Sequence, residues 1–122
     1  MLKYFLLPVF FIAGLLGRAQ DRLLMNDPNA VLRDIGKFNS VHVNGPFKVY
    51  FSEGKQSSLA ISASSTEARD KINTYVSGGE LHIELETSTL RWITKNDNFK
   101  IYISAPTLQS IHASGAVNFV LV

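Results

Sequence analysis

The chain has 122 residues, of which 46% are hydrophobic and 18% are charged, with 12 Lys and Arg against 10 Asp and Glu and no cysteine. This length fits one domain. The composition excludes a disordered charged tail, a collagen or coiled-coil repeat, a disulfide-stapled miniprotein and a cysteine-ligated zinc site, because each needs a bias that is absent.

The first residues have the pattern of a secretory signal peptide. Lys3 precedes the uncharged run of residues 4–16, and the small-residue stretch Gly17-Arg18-Ala19 follows it. A run of this length spans roughly 20 Å as a helix, which is short of the ~30 Å hydrocarbon core of a membrane. We therefore predict a signal peptide over residues 1–19, cleaved after Ala19, and no stable transmembrane anchor in the mature chain.

The charge of the mature chain bears on its partners. Without Lys3 and Arg18, 10 basic and 10 acidic residues remain. A nucleic-acid-binding domain needs Lys and Arg clustered on one face, so the balanced charge argues against nucleic acid as a partner. The predicted location is periplasmic, associated with the outer membrane, or extracellular.

The mature chain reads mostly as strands. Residues 20–36 show no sustained period and contain the turn signal Pro28-Asn29, which predicts a lead-in or cap segment. From Val41 to Phe51 apolar residues alternate with polar ones, which is typical of a half-buried strand. Further strand-like runs lie at residues 59–63, 72–76, 81–85, 99–103 and 108–113. We therefore predict an all-β domain over residues 37–122.

Two local signals interrupt the strands. Ser64, followed three residues later by Glu67, fits a capping box and predicts one short helical turn over residues 66–71. The sequence Ser77-Gly78-Gly79-Glu80 predicts a tight hairpin, because paired glycines supply the positive φ angles that such turns require. The irregular residues 87–98, which include Trp92, are the predicted place for a recognition loop.

Two internal similarities link distant strands. Residues 47–52 match residues 99–104 at an offset of 52, and residues 41–47 resemble residues 111–117 at an offset of 70. Amphipathic strands that converge on similar alternations would explain this. A solenoid, in which a strand and a glycine corner recur once per coil, would also explain it.

The C-terminal alternation favours the solenoid. Val117, Phe119 and Leu121 continue the inward positions to the end without a turn, a charge cluster or a cap. We expect that the domain is incomplete at its C-terminus, or that this open strand pairs with another strand.

Several of these segments resemble the bacterial GIN domain, the head domain of auto-transporter adhesins. They are residues 33–35, 38–49, 67–72, 78–83 and 101–116, so the resemblance covers about residues 33–122. It implies an exported, mostly β domain with a right-handed β-helix or β-solenoid, in envelope proteins chiefly of the Bacteroidetes type. The family has no established catalytic residues to carry over, and it usually runs past the glycine motif at residues 113–116 into further strand repeats.

Three histidines occupy outward positions of predicted strands: His42, His82 and His112. If their strands stack in register, the imidazoles form a ladder able to hold a transition metal, and otherwise they are three solvated side chains. No pair has the close spacing by which one strand or helix chelates a metal. We therefore predict no metal site and no cofactor.

Carboxylates on the same strand raise the question of catalysis. His82, Glu84 and Glu86 share one face, about 7 Å apart in succession, and paired carboxylates near that separation serve glycoside hydrolysis. The same pattern is the ordinary polar face of an amphipathic strand. The chain has neither a Gly-x-Ser-x-Gly elbow nor a phosphate-binding glycine loop, so we predict no catalytic residue and no enzyme.

A contact surface is predicted from Lys48, Tyr50, Lys100 and Tyr102, which form an outward patch if their two strands lie on one face. Tyrosine offers flat contact area at low entropic cost and lysine adds charge, although tyrosine is also simply common in strands. Trp92 either binds a ligand or plugs the end of the core.

The sequence therefore predicts a non-enzymatic exported cell-envelope β module with adhesin-like binding of a cell-surface glycan or an envelope protein. Two alternatives stay open. One is a polysaccharide-active β-helix enzyme, and the other is an envelope assembly element that acts by strand donation, including strand-mediated self-association.

Overall fold

The computed structural model describes residues 26–86 and 97–122. The predicted signal peptide and most of the predicted recognition loop, including Trp92, lie outside the described residues and stay predictions. Within the described residues, no helix is long and apolar enough to cross a membrane.

The described part of the chain is built mostly from strands. In chain order the strands are β1 (Val31–Arg33), β2 (Ser40–Asn44), β3 (Lys48–Glu53), β4 (Ser58–Ser62), β5 (Ile72–Ser77), β6 (Glu80–Leu85), β7 (Lys100–Ala105), β8 (Ser110–Ser114) and β9 (Asn118–Leu121). One short helix, α1 (Thr66–Arg69), separates β4 from β5. The prediction of a mostly β domain with one helical turn is confirmed.

The strands form two mixed sheets around one core. The first sheet has the order β1-β4-β7-β3-β9, and the second has the order β5-β6-β2-β8. In the first sheet β7, β3 and β9 run parallel to one another, and in the second β6, β2 and β8 do so. The remaining strands, β1, β4 and β5, pair antiparallel. Inward side chains of both sheets, such as Val41, Ile83, Val49 and Ile101, belong to the same buried cluster.

The alternation from Val41 to Phe51 is not one strand, which corrects the prediction. β2 ends at Asn44 in the second sheet, and β3 begins at Lys48 in the first sheet. Gly45 makes the corner with a φ of 137°, and a Cβ there would lie 2.9 Å from the ring of Phe47. The inward positions keep their even spacing across this corner, so a period of two cannot reveal that the chain has changed sheets.

A second corner of the same kind stacks on the first. The Phe47 N–H donates to the Gly45 carbonyl at 3.0 Å, and the Val117 N–H donates to the Gly115 carbonyl at 3.1 Å. Gly115 has a φ of 84°, which L side chains rarely adopt, and a Cβ there would lie tightly against the first corner, 3.2 Å from the backbone nitrogen of Gly45.

The two internal similarities of the sequence correspond to strands that stack beside each other in the same sheet. Ser40 pairs with Ser110, which reproduces the offset of 70, and Lys48 pairs with Lys100, which reproduces the offset of 52. Matching segments are therefore parallel neighbours in register. A solenoid is not confirmed, because each sheet also contains antiparallel strands.

The structure confirms the short helical turn and the tight hairpin, and it moves the predicted helix cap by one residue. The Ala68 N–H donates to the side chain of Ser65 at 3.1 Å, so Ser65 caps the helix instead of Ser64. Gly78 and Gly79 have φ angles of 58° and 80°, which confirms the tight hairpin between β5 and β6. The lead-in segment is less irregular than predicted, since its residues 31–33 form the edge strand β1 beside β4.

The core thins toward β8 and β9. Phe119 pairs with Val49 and shares its inward orientation, yet Phe119 is 37% exposed while Val49 is fully buried. Ile111 and Leu121 are exposed in the same way. β8 and β9 are the last strands of their sheets within the described residues, so no further strand pair there covers these inward side chains.

Candidate functional site

The structure brings together the four strand residues of the predicted contact surface. The parallel register of β3 and β7 pairs Lys48 with Lys100 and Tyr50 with Tyr102. All four project from the outer face of the first sheet, because the residues between them, such as Val49 and Ile101, are buried in the core. We call Lys48, Tyr50, Lys100 and Tyr102 the aromatic–cationic face.

The two tyrosines of this face form a stacked pair. Their ring centroids are 5.1 Å apart and their planes differ by 10°. The Lys48 ammonium lies 5.4 Å from the centroid of the Tyr50 ring, within the range of a cation–π contact. The stack holds Tyr50 in one orientation, so a ligand that packs against it meets a preordered surface.

Tyr102 also projects from the outer face, but the turn at Asp27 covers it, which corrects its prediction as an accessible contact residue. It is only 3% exposed, and its hydroxyl donates to Asp27 Oδ2 at 2.5 Å. Burial raises the pKa of Tyr102 above its ordinary value, and the hydrogen bond and negative charge of Asp27 add to that rise. Tyr102 therefore stays protonated and fixed beneath the lead-in segment, while Tyr50, Lys48 and Lys100 stay accessible.

Asp27 is the residue of this site that sequence reasoning missed. Besides Tyr102, it accepts a hydrogen bond from the buried Ser62 hydroxyl at 2.9 Å. The neighbouring Asn29 side chain donates to the Ala63 carbonyl at 2.9 Å, so this turn is tied to β4 at two points. The turn signal at Pro28-Asn29 was visible in the sequence, but no local pattern indicates which strands the turn covers.

The second sheet carries the histidines on its outer face. In-register pairing places His82, His42 and His112 side by side in one row across β6, β2 and β8. The ring centroid of His42 lies 5.5 Å from that of His82 and 6.3 Å from that of His112. The in-register ladder that the sequence left conditional is therefore present.

The carboxylates considered for catalysis have different surroundings. Glu84 lies within β6 beside Asn44 and Asn73 of the neighbouring strands. Glu86 follows the strand and pairs with Lys71, with 3.7 Å between the charged atoms. An ion pair between exposed side chains is a common surface interaction that contributes little to stability.

An open cleft of about 840 Å³ lies at the end of the fold near β1. Phe38 and Leu59 contribute apolar lining, and Arg33, Lys37 and Lys55 contribute charge. No local pattern in the sequence indicates this cleft, because its walls come from segments that are far apart in the chain.

One family model matches most of this chain. The family model described as "Putative auto-transporter adhesin, head GIN domain" matches residues 37–122. No curated protein matches the chain.

Solved structures share the fold at low sequence identity. A "putative lipid binding protein" from Parabacteroides distasonis is 20% identical with a TM-score of 0.61, and the match covers 78% of this chain and 41% of that one. A "putative adhesin" from Bacteroides fragilis is 19% identical with a TM-score of 0.61, and the match covers 76% and 43% of the two chains. This chain thus spans less than half the length of these neighbours.

Proposed function

This chain belongs to the family of the auto-transporter adhesin head GIN domain, and from that premise we propose that it is an exported cell-envelope module that binds a cell-surface glycan through its aromatic–cationic face. The family match and the structural neighbours support adhesin-like function at a coarse level. Their descriptions name adhesins or a lipid binding protein and no enzyme.

The observation that carries the proposal is the stacked pair of Tyr50 and Tyr102. An aromatic ring that a stacked neighbour holds in one orientation can pack against the apolar face of a sugar ring and loses little entropy on binding. Lys48 and Lys100 lie beside it and add donors for hydroxyl or carboxylate groups of a glycan. The anchoring of Tyr102 by Asp27 supports a preformed surface.

The arrangement of the strands supports a rigid display of this face. Three pairs of consecutive strands each place one strand in each sheet: β2 with β3, β6 with β7, and β8 with β9. The strands of different pairs that lie in the same sheet are parallel and in register. We propose that these pairs are stacked coils of a β-solenoid, into which β1, β4 and β5 are inserted. Export by the predicted signal peptide belongs to the same proposal.

The glycan proposal is tested with Tyr50→Ala. We expect this variant to bind an immobilised panel of bacterial and host cell-surface glycans at least about tenfold more weakly, because a central aromatic contact contributes more than ~1.4 kcal/mol. Tyr75→Ala is the matched control, since Tyr75 is an exposed tyrosine on the second sheet. Biolayer interferometry measures both, and circular dichroism checks that both are folded.

Equal binding by Tyr50→Ala and the unaltered chain would contradict the proposal. Vesicles of phosphatidylethanolamine and phosphatidylglycerol are included because one neighbour is described as a lipid binding protein. Binding to the vesicles with no binding to any glycan would also contradict it.

A second candidate function is assembly through strand-mediated self-association of two copies. The observation that favours it is the exposed apolar edge formed by Ile111, Phe119 and Leu121 on β8 and β9. A second copy that added its strands there would cover these side chains and extend both sheets.

The assembly candidate is tested with Phe119→Lys. We expect the unaltered chain to show a mass that rises with concentration in size-exclusion chromatography with light scattering, and we expect Phe119→Lys to remain monomeric, because an inward lysine at a sheet edge opposes pairing. Asn118→Lys is the control, since Asn118 is an exposed polar residue on the same strand. A monomeric unaltered chain at every concentration would exclude this candidate.

A further inference from the structure

The row of histidines on the second sheet has a carboxylate beside one of its members, His82. Glu80 precedes His82 by two residues on β6, so both side chains project from the same face. The Glu80 Oε1 atom lies 3.2 Å from the His82 Nε2 atom. Ligand atoms of His42, Glu80 and His82 all lie within 4.8 Å of one another.

These separations are close to those of a zinc site. Two ligands of a tetrahedral zinc ion, each at 2.0–2.1 Å from the metal, lie about 3.4 Å apart. The pair of Glu80 and His82 already has this separation. His42 lies directly opposite His82 on the neighbouring strand, and a ring nitrogen of His42 is within 4.8 Å of the ligand atoms of both.

The surroundings of these three residues hold them in place. Tyr75 occupies the same row on β5 and stacks on the His82 ring, with centroids 4.7 Å apart and planes 7° apart. The side chains of His82 and Glu80 are 23% and 30% exposed, so they are half-buried yet open to an ion from solution. A ligand set held by a rigid sheet loses less entropy on binding than one on a loop.

The charge of the face is also suited to a dication. The four strands β5, β6, β2 and β8 contain no Lys or Arg, and their charged residues are Glu80 and Glu84. With neutral histidines this face is therefore negative. Two imidazoles and one carboxylate form a donor set that zinc prefers over Ca²⁺ or Mg²⁺, which favour oxygen ligands alone.

We propose that His42, His82 and Glu80 bind one Zn²⁺ ion on the outer face of the second sheet. The ion has three protein ligands and an open fourth position, which water occupies or which a donor group of a partner completes. This site lies on the opposite sheet from the aromatic–cationic face and is independent of the proposed glycan binding.

The test is isothermal titration calorimetry of the chain with ZnCl₂, without a polyhistidine tag and in buffer free of chelators. We expect one Zn²⁺ per chain, and we expect Glu80→Gln and His42→Gln each to weaken binding by at least about tenfold, because even residues that only orient zinc ligands change affinity by 10–100-fold.

Matched controls lie on the same face. Glu84→Gln removes the carboxylate two residues beyond His82 on the same strand, and His112→Gln removes the histidine on the other side of His42. Neither belongs to the close group among the described residues, so we expect each to retain affinity within about threefold. Circular dichroism confirms that each variant is folded.

A second readout separates a metal site from an ordinary ion pair between His82 and Glu80. Long-range ¹H–¹⁵N spectra should show the ring nitrogens of His42 and His82 shifting together on Zn²⁺ addition. The proposal is overturned if Glu80→Gln and His42→Gln bind Zn²⁺ as tightly as the unaltered chain, or if the chain binds none at micromolar concentration.

Discussion

Replacing Phe47 with alanine is expected to lower the free energy of unfolding by about 3–5 kcal/mol, the usual cost of removing a buried phenylalanine ring. Phe47 is 1% exposed and lies directly after the Gly45 corner that joins the two sheets. Its ring packs edge-to-face with Phe99, with centroids 5.9 Å apart. The loss combines apolar burial, this aromatic pair and a cavity at the corner.

Urea denaturation followed by circular dichroism measures the effect. Phe119→Ala is the control, because it makes the same chemical change at an inward position that is already 37% exposed. We expect Phe119→Ala to cost below about 2 kcal/mol, since less apolar area leaves contact with the core. If both variants lost a similar free energy of unfolding, Phe47 at the Gly45 corner would contribute no more to the core than the partly exposed Phe119.

Leu81→Ala is expected to lower the free energy of unfolding by about 2–5 kcal/mol. Leu81 and Ile111 lie on either side of Val41 in one inward row of the second sheet. Leu81 is fully buried, whereas Ile111 is 41% exposed. We expect Ile111→Ala to cost below about 1.5 kcal/mol, because its surroundings relax into solvent without leaving a closed cavity.

The same denaturation experiment at low protein concentration compares the two variants. If Ile111→Ala lowered the free energy of unfolding as much as Leu81→Ala, this would contradict the exposure of Ile111 at the edge of the core. It would mean that another surface packs on β8 in solution. A urea midpoint that rises with protein concentration would then identify a second copy of the chain as that surface.

The candidate sites were predictable to different degrees. Lys48, Tyr50, Lys100 and Tyr102 stand out in the sequence because two strands repeat the same alternation, and the structure pairs them. The burial of Tyr102 was not predictable, since Asp27 reaches it across 75 positions of the chain. His42 and His82 were recognised in the sequence as a conditional ladder, but 40 residues separate them and only strand register makes them neighbours. Glu80 was missed, because no local pattern indicates that its carboxylate joins them.

The sequence by itself determined the β class, the tight hairpin at Gly78-Gly79, the short helical turn and the resemblance to the GIN domain. The first three depend on local signals, namely a period of two, a glycine pair and a cap, whose physics acts within a few residues. The tertiary structure alone decided which sheet each strand joins and which end of the core is open. The alternation of inward and outward residues continues unchanged through the Gly45 corner, so it does not reveal the change of sheet. The choice of partner strand depends on long-range backbone pairing and core packing, which no short window of residues contains.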